Sequence, residues 1–473
     1  MQLAKLIIPK KINKLYCFWG LSAGFFFNPV SAQDNSPYSR YGIGDLVPPS
    51  NIVSRGMGGV VAGYNDIFSI NFNNPASLSS IQATKETKSN KLANGRAILD
   101  IGVNIDNRTL KEPNLVGKFT ASNALFSYVQ IAMPLKKNWG LHFGIRPISR
   151  ISYNIIRNER LYDPITGLPI DSSSTRFEGD GGAYLISAGT GFSLFSRVRG
   201  EDKGNMEEKL SIGITPGYLF GKKNYSTRRE LINDSVQYYP ANFETSTNYG
   251  DLYLTTGLQY KLPLNKKLLL TLGAFGSWQQ SLNARQDILR ETYSFDETLG
   301  QVRLDSVSDK KDIRGELVMP ATYTFGFTLQ KFAVPNKEGG WLLGLDVETQ
   351  QWDNYRFYGM KDSVRNKWQV RAGAQLNPVP KRNYFSQVVY RFGLFAGPDY
   401  IKVGQKLSQF GASFGMGLPM TISRQAPNQA SIINLALEYS RRGNNDNILR
   451  ENMFRLSIGF SLSDIWFIKR KYD

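Results

Sequence analysis

Few side chains of this 473-residue chain could carry covalent chemistry. There is one histidine, His142, and one cysteine, Cys17. The cysteine falls within the first 32 residues, which read as a leader, so the remainder has no thiol for nucleophilic or redox work. Without Cys and with a single His, any metal would have to be held by carboxylates, and no acidic cluster has the spacing of a metal loop. No metal, cofactor or catalytic group is therefore expected. The remaining candidates are charges: Asp346, Glu348, Arg371, Arg391, Glu438 and Arg455. Each falls at an alternate position that it shares with glycines and small polar residues. An unpaired charge in a dry interior is costly, and opposite charges facing each other across strands stabilise one another. A hairpin centred near Gly359 and Met360 sets Glu348 against Arg371, and one centred near Asn445 and Asp446 sets Glu438 against Arg455. The expected chemistry is electrostatic: a ladder that holds an interior together, or a polar selectivity site.

The elements that place these charges have a period of two. In "WGLHFGIRP", Trp139, Leu141, Phe143 and Ile145 share one face, and His142 lies on the other with Gly140, Gly144 and Arg146. "DLYLTTGLQYKL" (251–262), "WLLGLDVETQ" (341–350) and "FRLSIGFSL" (454–462) alternate in the same way. A soluble sandwich also alternates. Three features favour a membrane barrel instead. Many segments reach nine to fourteen residues, nearer a tilted membrane strand than the usual five or six. Their polar face is rich in Gly, Ser and Thr. Tryptophans mark strand ends, with Trp139 and Trp341 at one rim and Trp278, Trp352 and Trp368 at the other. The fold class is an all-β transmembrane barrel of about fourteen antiparallel strands over residues 94–473. Tight turns such as "PLKKN" (134–138) lie on the periplasmic side. The polar segments 151–182, 222–249 and 279–317 read as long outer loops.

Lys5, Lys10, Lys11 and Lys14 precede an apolar core from Leu15 to Phe27, and Val30-Ser31-Ala32 suits cleavage before Gln33. Residues 1–32 are thus expected to be a signal peptide. Its loss removes four lysines and no acid, taking the formal charge from +18 to +14. In an exported protein, that balance suits anionic outer-membrane lipid and lipopolysaccharide rather than nucleic acid. Nothing after residue 32 approaches 18 consecutive apolar residues. Entry into a bilayer therefore requires a closed barrel, which satisfies its own backbone.

Residues 33–93 do not alternate and hold many glycines and the pair Pro48-Pro49. Asn74 can cap a helix whose first position suits Pro75, so a compact turn through Leu78 and Ile81 follows. The run "RGMGGVVAGYNDIFSINFNNPASLSSI" (55–81), between a leader and fourteen amphipathic strands, resembles the N-terminal signature of the FadL-like outer-membrane family. The motif carries over at Gly58, Gly59, Asp66, Asn74, Pro75 and Ala76. The resemblance implies an N-terminal plug inside the barrel, with passive passage of small hydrophobic or amphipathic molecules, often through a lateral opening at a kinked strand. "SPYSRYGIGDL" (36–46) and "WFIKRKYD" (466–473) are similar to Bacteroidota members of that broad family that serve secretion or assembly.

Two functions follow as expectations. The first is a passive channel in the outer membrane of a Gram-negative bacterium, with Leu269, Phe275, Phe395 and His142 facing the ligand. His142 should also contact the plug. The second is a non-transporting barrel subunit that binds partner outer-membrane proteins through its loops or periplasmic face. Mixed charge across 279–317 favours the second.

Overall fold

The computed structural model describes residues 36–86, 91–113, 117–198, 206–233, 236, 238–296, 298, 300–334, 337–379, 381, 383–420 and 429–466. The expected leader lies outside them. Among the described residues, fourteen antiparallel strands close into one barrel. They are β1 (Leu92–Lys111), β2 (Lys118–Lys136), β3 (Trp139–Tyr162), β4 (Pro169–Val198), β5 (Glu207–Ile232), β6 (Ala241–Pro263) and β7 (Leu268–Ser277, continued by Gln280–Asp296). There follow β8 (Gly300–Met319, continued by Thr322–Lys331), β9 (Gly340–Gln350), β10 (Lys367–Asn377), β11 (Val389–Lys402), β12 (Lys406–Pro419), β13 (Ala430–Arg442) and β14 (Arg450–Trp466). Closure is by β14 on β1, from Arg450 opposite Lys111 to Trp466 opposite Gly95.

Alternation sets the two faces. On β9, Leu343, Leu345 and Val347 are exposed, while Leu342, Asp346 and Glu348 between them are buried. Greasy side chains line the outside, and the interior mixes polar groups with apolar clusters such as Leu219, Leu282, Leu317 and Tyr355. Trp139, Trp278 and Trp368 are exposed on the outer wall. Trp352 is not part of the girdle. It is 3% exposed and packs inside against Tyr400, ring centroids 4.2 Å apart. A short helical turn over Trp352–Asn354 follows the end of β9 and takes the residue out of strand alternation.

The three segments expected as loops are strands. β3 runs on to Tyr162 and β4 begins at Pro169, while β5, β6, β7 and β8 fill most of 222–249 and 279–317. Above the bilayer both faces of a strand meet water, so the ladder continues after its apolar signature has gone. The result is a six-stranded sheet, in the order β3 to β8, that extends past the barrel rim on one side. β7 and β8 break at Trp278-Gln279 and Pro320-Ala321. Across the first gap, the Gln280 side-chain amide accepts from Leu254 N at 2.7 Å and donates to Leu254 O at 3.3 Å, replacing a missing strand partner.

A second opening lies between β2 and β3. They pair only from Lys136 opposite Trp139 up to Val129 opposite Ile145. Beyond that point β2 stays with β1, and β3 stays with β4. Pro147, which has no N–H to donate, marks the parting. The freed edge of β3 is taken by the N-terminal segment, where Asp45 and Leu46 pair with Arg150 and Ser149. Ser36 N donates to Ser152 O at 3.2 Å, and Val47 N donates to Ile148 O at 3.0 Å.

Candidate functional site, the plugged lumen

The N-terminal segment fills the barrel. Its one α-helix, Ile52–Arg55, is capped by the Asn51 side chain, and a 3-10 turn over Pro75–Ser80 is capped by Asn74, whose Oδ1 accepts from Ala76 N at 3.2 Å. Asn74 Nδ2 also donates to Ala62 O at 2.8 Å and to Leu258 O of β6 at 3.1 Å, so one amide ties two plug turns to the wall. Gly58 and Gly59 turn the chain with φ of 67° and 88°, a conformation other L-residues rarely adopt. The wall yields space to match. A Cβ on Gly393 of β11 would sit 1.8 Å from Gly58 N, and one on Gly257 of β6 would sit 2.1 Å from Asn74 Oδ1. Inward glycines thus let plug and wall backbones touch. Asp66 has a local task, accepting from Tyr64 OH at 3.1 Å and Phe68 N at 2.9 Å.

Polar anchors around the circumference hold the plug. Asp346 Oδ2 accepts from Val61 N at 2.6 Å and Ala62 N at 2.9 Å. Asp100 of β1 accepts from Ile70 N at 3.3 Å, and Ser413 Oγ of β12 accepts from Gly58 N at 2.9 Å. Arg55, 2% exposed, donates to Asn104 at 2.5 Å, to Ser127 at 2.8 Å and to the plug carbonyls of Pro48 at 3.0 Å and Ser50 at 3.1 Å. At the end of the barrel with the short turns, Lys209 Nζ donates to Ser79 O at 2.6 Å.

Towards the outside, Asp45 joins a buried network. It pairs with Arg108 of β1 at 2.5 Å and Arg442 of β13 at 2.8 Å, while Arg442 reaches Asp399 of β11 at 2.9 Å and Glu451 of β14 at 3.2 Å. Just beside it, Gly42 is gripped from both ends, its N donating to Asp362 at 2.8 Å and its O accepting from Lys223 at 2.7 Å.

The two charge pairs singled out in the sequence lie within ion-pair distance. Arg371 Nη2 is 2.5 Å from Glu348, although register sets Glu348 opposite Gln369 and Arg371 opposite Asp346. The pair is diagonal because Asp346 is spent on plug amides. Arg455 is directly opposite Glu438 at 3.5 Å, but its closer partner is Asp106, at 2.7 and 2.8 Å. Arg391 Nε donates to Gln375 at 2.9 Å.

Between the plug and the outer network remains a cavity of about 260 Å³. Phe275 and Phe395 line it, with Phe72 from the plug. His142 and Leu269 do not: His142 is 1% exposed, set between Gln130 at 3.1 Å and Thr215 at 3.4 Å, and Leu269 lies nearer the periplasmic end, opposite Pro263 and Gln330. Parity turned both inward, but which level of the lumen is hollow depends on where the plug stops. Charged side chains share this lining with apolar ones, among them Arg55, Arg108, Arg371, Arg442 and Arg455 with their acids.

Sequence reasoning missed the roles of Arg55, Asp45 and Asp100. Arg55 could have been noticed as a lone cation in a Gly-rich, otherwise apolar run; Asp45 and Asp100 gave no such signal.

No curated protein matches the chain in sequence. Solved structures with a similar barrel layout include the CymD monoaromatic hydrocarbon channel, 14% identical over 89% of this chain and 98% of that one, TM-score 0.45. A Pseudomonas aeruginosa FadL homologue is 11% identical over 90% and 100%, TM-score 0.49. The toluene transporter TodX of Pseudomonas putida is 14% identical over 89% and 99%, TM-score 0.44. A family model described as BamG matches residues 18–473. With nearly the whole sequence inside that match, the chain belongs to the BamG family.

Proposed function

We propose that the protein is a closed, non-transporting barrel that acts as a subunit of a protein secretion or assembly complex in the outer membrane of a Gram-negative bacterium. The observation that carries this reading is the seating of the plug. Its backbone meets wall backbone at inward glycines on both sides of the lumen, and buried charges pin it at both ends. A plug held that way is a structural filling. The hollow that remains holds the ion pairs of Arg371, Arg442 and Arg455 among its lining groups, and an oily solute would have to pass them. The sheet β3 to β8 offers a large polar surface outside, suited to protein partners, and membership of the BamG family supports the reading. Native purification through a tag on this chain, in mild detergent, tests it. Stoichiometric recovery with a larger barrel is expected, and recovery of the chain alone would reject it.

The opening between β2 and β3 favours a second reading, a passive route for small hydrophobic molecules. It leads from the wall towards a cavity with three phenylalanines. Lipid-like density in the purified protein, together with uptake of an aromatic hydrocarbon by vesicles that contain it, would favour this reading.

A further inference from the structure

The outward face of the surface sheet carries a row of four cations, two of which share the carboxylate of Asp312. Register sets Arg150 opposite Gly182, Gly182 opposite Lys222, Lys222 opposite Asn248, Asn248 opposite Arg285 and Arg285 opposite Arg314. A single line therefore crosses β3 to β8 with four cations, and beyond β3 it ends at Asp45, opposite Arg150. Neighbouring strands lie ~4.8 Å apart, so Arg150, Lys222 and Arg285 are spaced by roughly 10 Å, with Arg314 one strand further on. Burial fixes the side: Lys223 and Ala284 are buried inside, while Lys222 and Arg285 beside them are exposed, as is Arg314.

Height in the membrane gives the row its meaning. Two residues closer to the bilayer on the same face are Tyr184 and Phe220, stacked at 6.0 Å, with Tyr218 stacked on Phe220 at 6.3 Å. Aromatics of this kind mark the interface between hydrocarbon and headgroups. Leu252, below them on β6, is 72% exposed. The cations thus form the first polar level above the apolar band.

Acids stand above the row on this face, Asp180 and Asp287 at the next level. Two levels above the row, the line Asn154, Glu178, Ser226, Glu244 has acids and no cation. Above that line cations return at Arg176 and Arg228, and Arg176 lies 3.9 Å from Glu178. Asp312 is shared between Arg285 at 3.5 Å and Arg314 at 3.8 Å, and Asp180 accepts from the Asn224 amide at 3.1 Å. Among the described residues, Arg150 and Lys222 have no ion pair.

We propose that this row binds the phosphate groups of a phosphorylated glycolipid in the outer leaflet, of the lipid A type. Asp312 serves Arg285 and Arg314 alone, which leaves Arg150 and Lys222 for an external anion. Guanidinium groups suit phosphate oxygens, and the row stands at the depth where such phosphates lie when the acyl chains rest on Leu252 and its neighbours. The assignment rests on the outer-membrane placement proposed above.

The test uses the full chain purified in detergent and titrated with bisphosphorylated lipid A, with binding read by native mass spectrometry. Each neutralised cation should weaken binding about fivefold, so Arg150→Gln with Lys222→Gln should weaken it about 25-fold. Lys310→Gln with Lys311→Gln, which removes the same charge from the same sheet away from the row, should change nothing. Fully dephosphorylated lipid A should bind the natural protein more weakly still than bisphosphorylated lipid A binds the Arg150/Lys222 variant, which keeps Arg285 and Arg314. Equal binding of both lipids, or unchanged binding by that variant, would overturn the proposal. Displacement of the lipid by an equal concentration of inorganic phosphate would make the row a free-anion site and overturn the lipid assignment. Fractionation of the natural protein away from membranes would instead reject the placement itself.

Discussion

At the scale of single residues, the lumen is held by charges that cannot be removed one at a time. Glu348→Ala would strand the Arg371 guanidinium in a buried site, at a cost of roughly 3 to 5 kcal/mol in denaturant unfolding of the barrel. Replacing both partners with Met should restore most of that loss. A contrasting pair stands at the periplasmic turn between β8 and β9. Glu338 lies 2.6 Å from Lys267 and 2.8 Å from Lys331, and the two lysines hold its carboxyl down to about 2. A lowered carboxyl stabilises the fold above its unfolded value of about 4.3 and loses that effect as pH falls towards 2. An NMR titration of labelled Glu338 should therefore show an ionised carboxylate at pH 3. The group is exposed, so its loss at lower pH should leave overall stability nearly unchanged.

At the scale of elements, alternation made the two faces of each strand legible from the sequence, because hydrocarbon outside and a tight polar lumen inside both select side chains at every position. Leu345→Arg, on the outer face near the middle of β9, should accordingly cost roughly 2 to 4 kcal/mol in lipid while leaving the lumen intact. Refolding equilibria in vesicles would measure it. Strand ends were not legible. Above the rim, β3, β4 and β5 carry polar residues on both faces, as in Arg157 to Arg160 and Arg228 to Glu230, and water makes a ladder look like a loop. Register was legible where the turn is simple, as with Glu438 opposite Arg455. It shifted for Glu348 because the β9 to β10 connection contains a helical turn and a short strand, Arg356–Phe357, that pairs with β8. The Asn74-Pro75 turn was readable from capping chemistry alone. The partners of that turn were not, since Leu258 and Gly257 lie more than 180 residues away.

At the scale of the whole molecule, plug and wall form one solid. A side chain at Gly393 should break that union: in Gly393→Val, the added atoms fall on the Gly58 backbone, so the plug must leave its seat while the wall can still close. Single-channel recording should then show steady conductance for the variant, against none for the natural protein. A silent variant with a protease-resistant N-terminal segment would mean the wall bends instead.

The placement of Asp45 also dictates an order of events during biogenesis. This carboxylate is made early in synthesis, yet its partners Arg108 and Arg442 belong to the first and the penultimate strands. The segment made first must therefore wait for the end of the chain before its seat exists. Until then, its glycine-rich turns stay soft and accessible to proteases and to helper proteins. Completion of the ring and burial of the leading segment become one late step, which a pulse-chase experiment with timed protease addition would see as a single sharp gain of resistance.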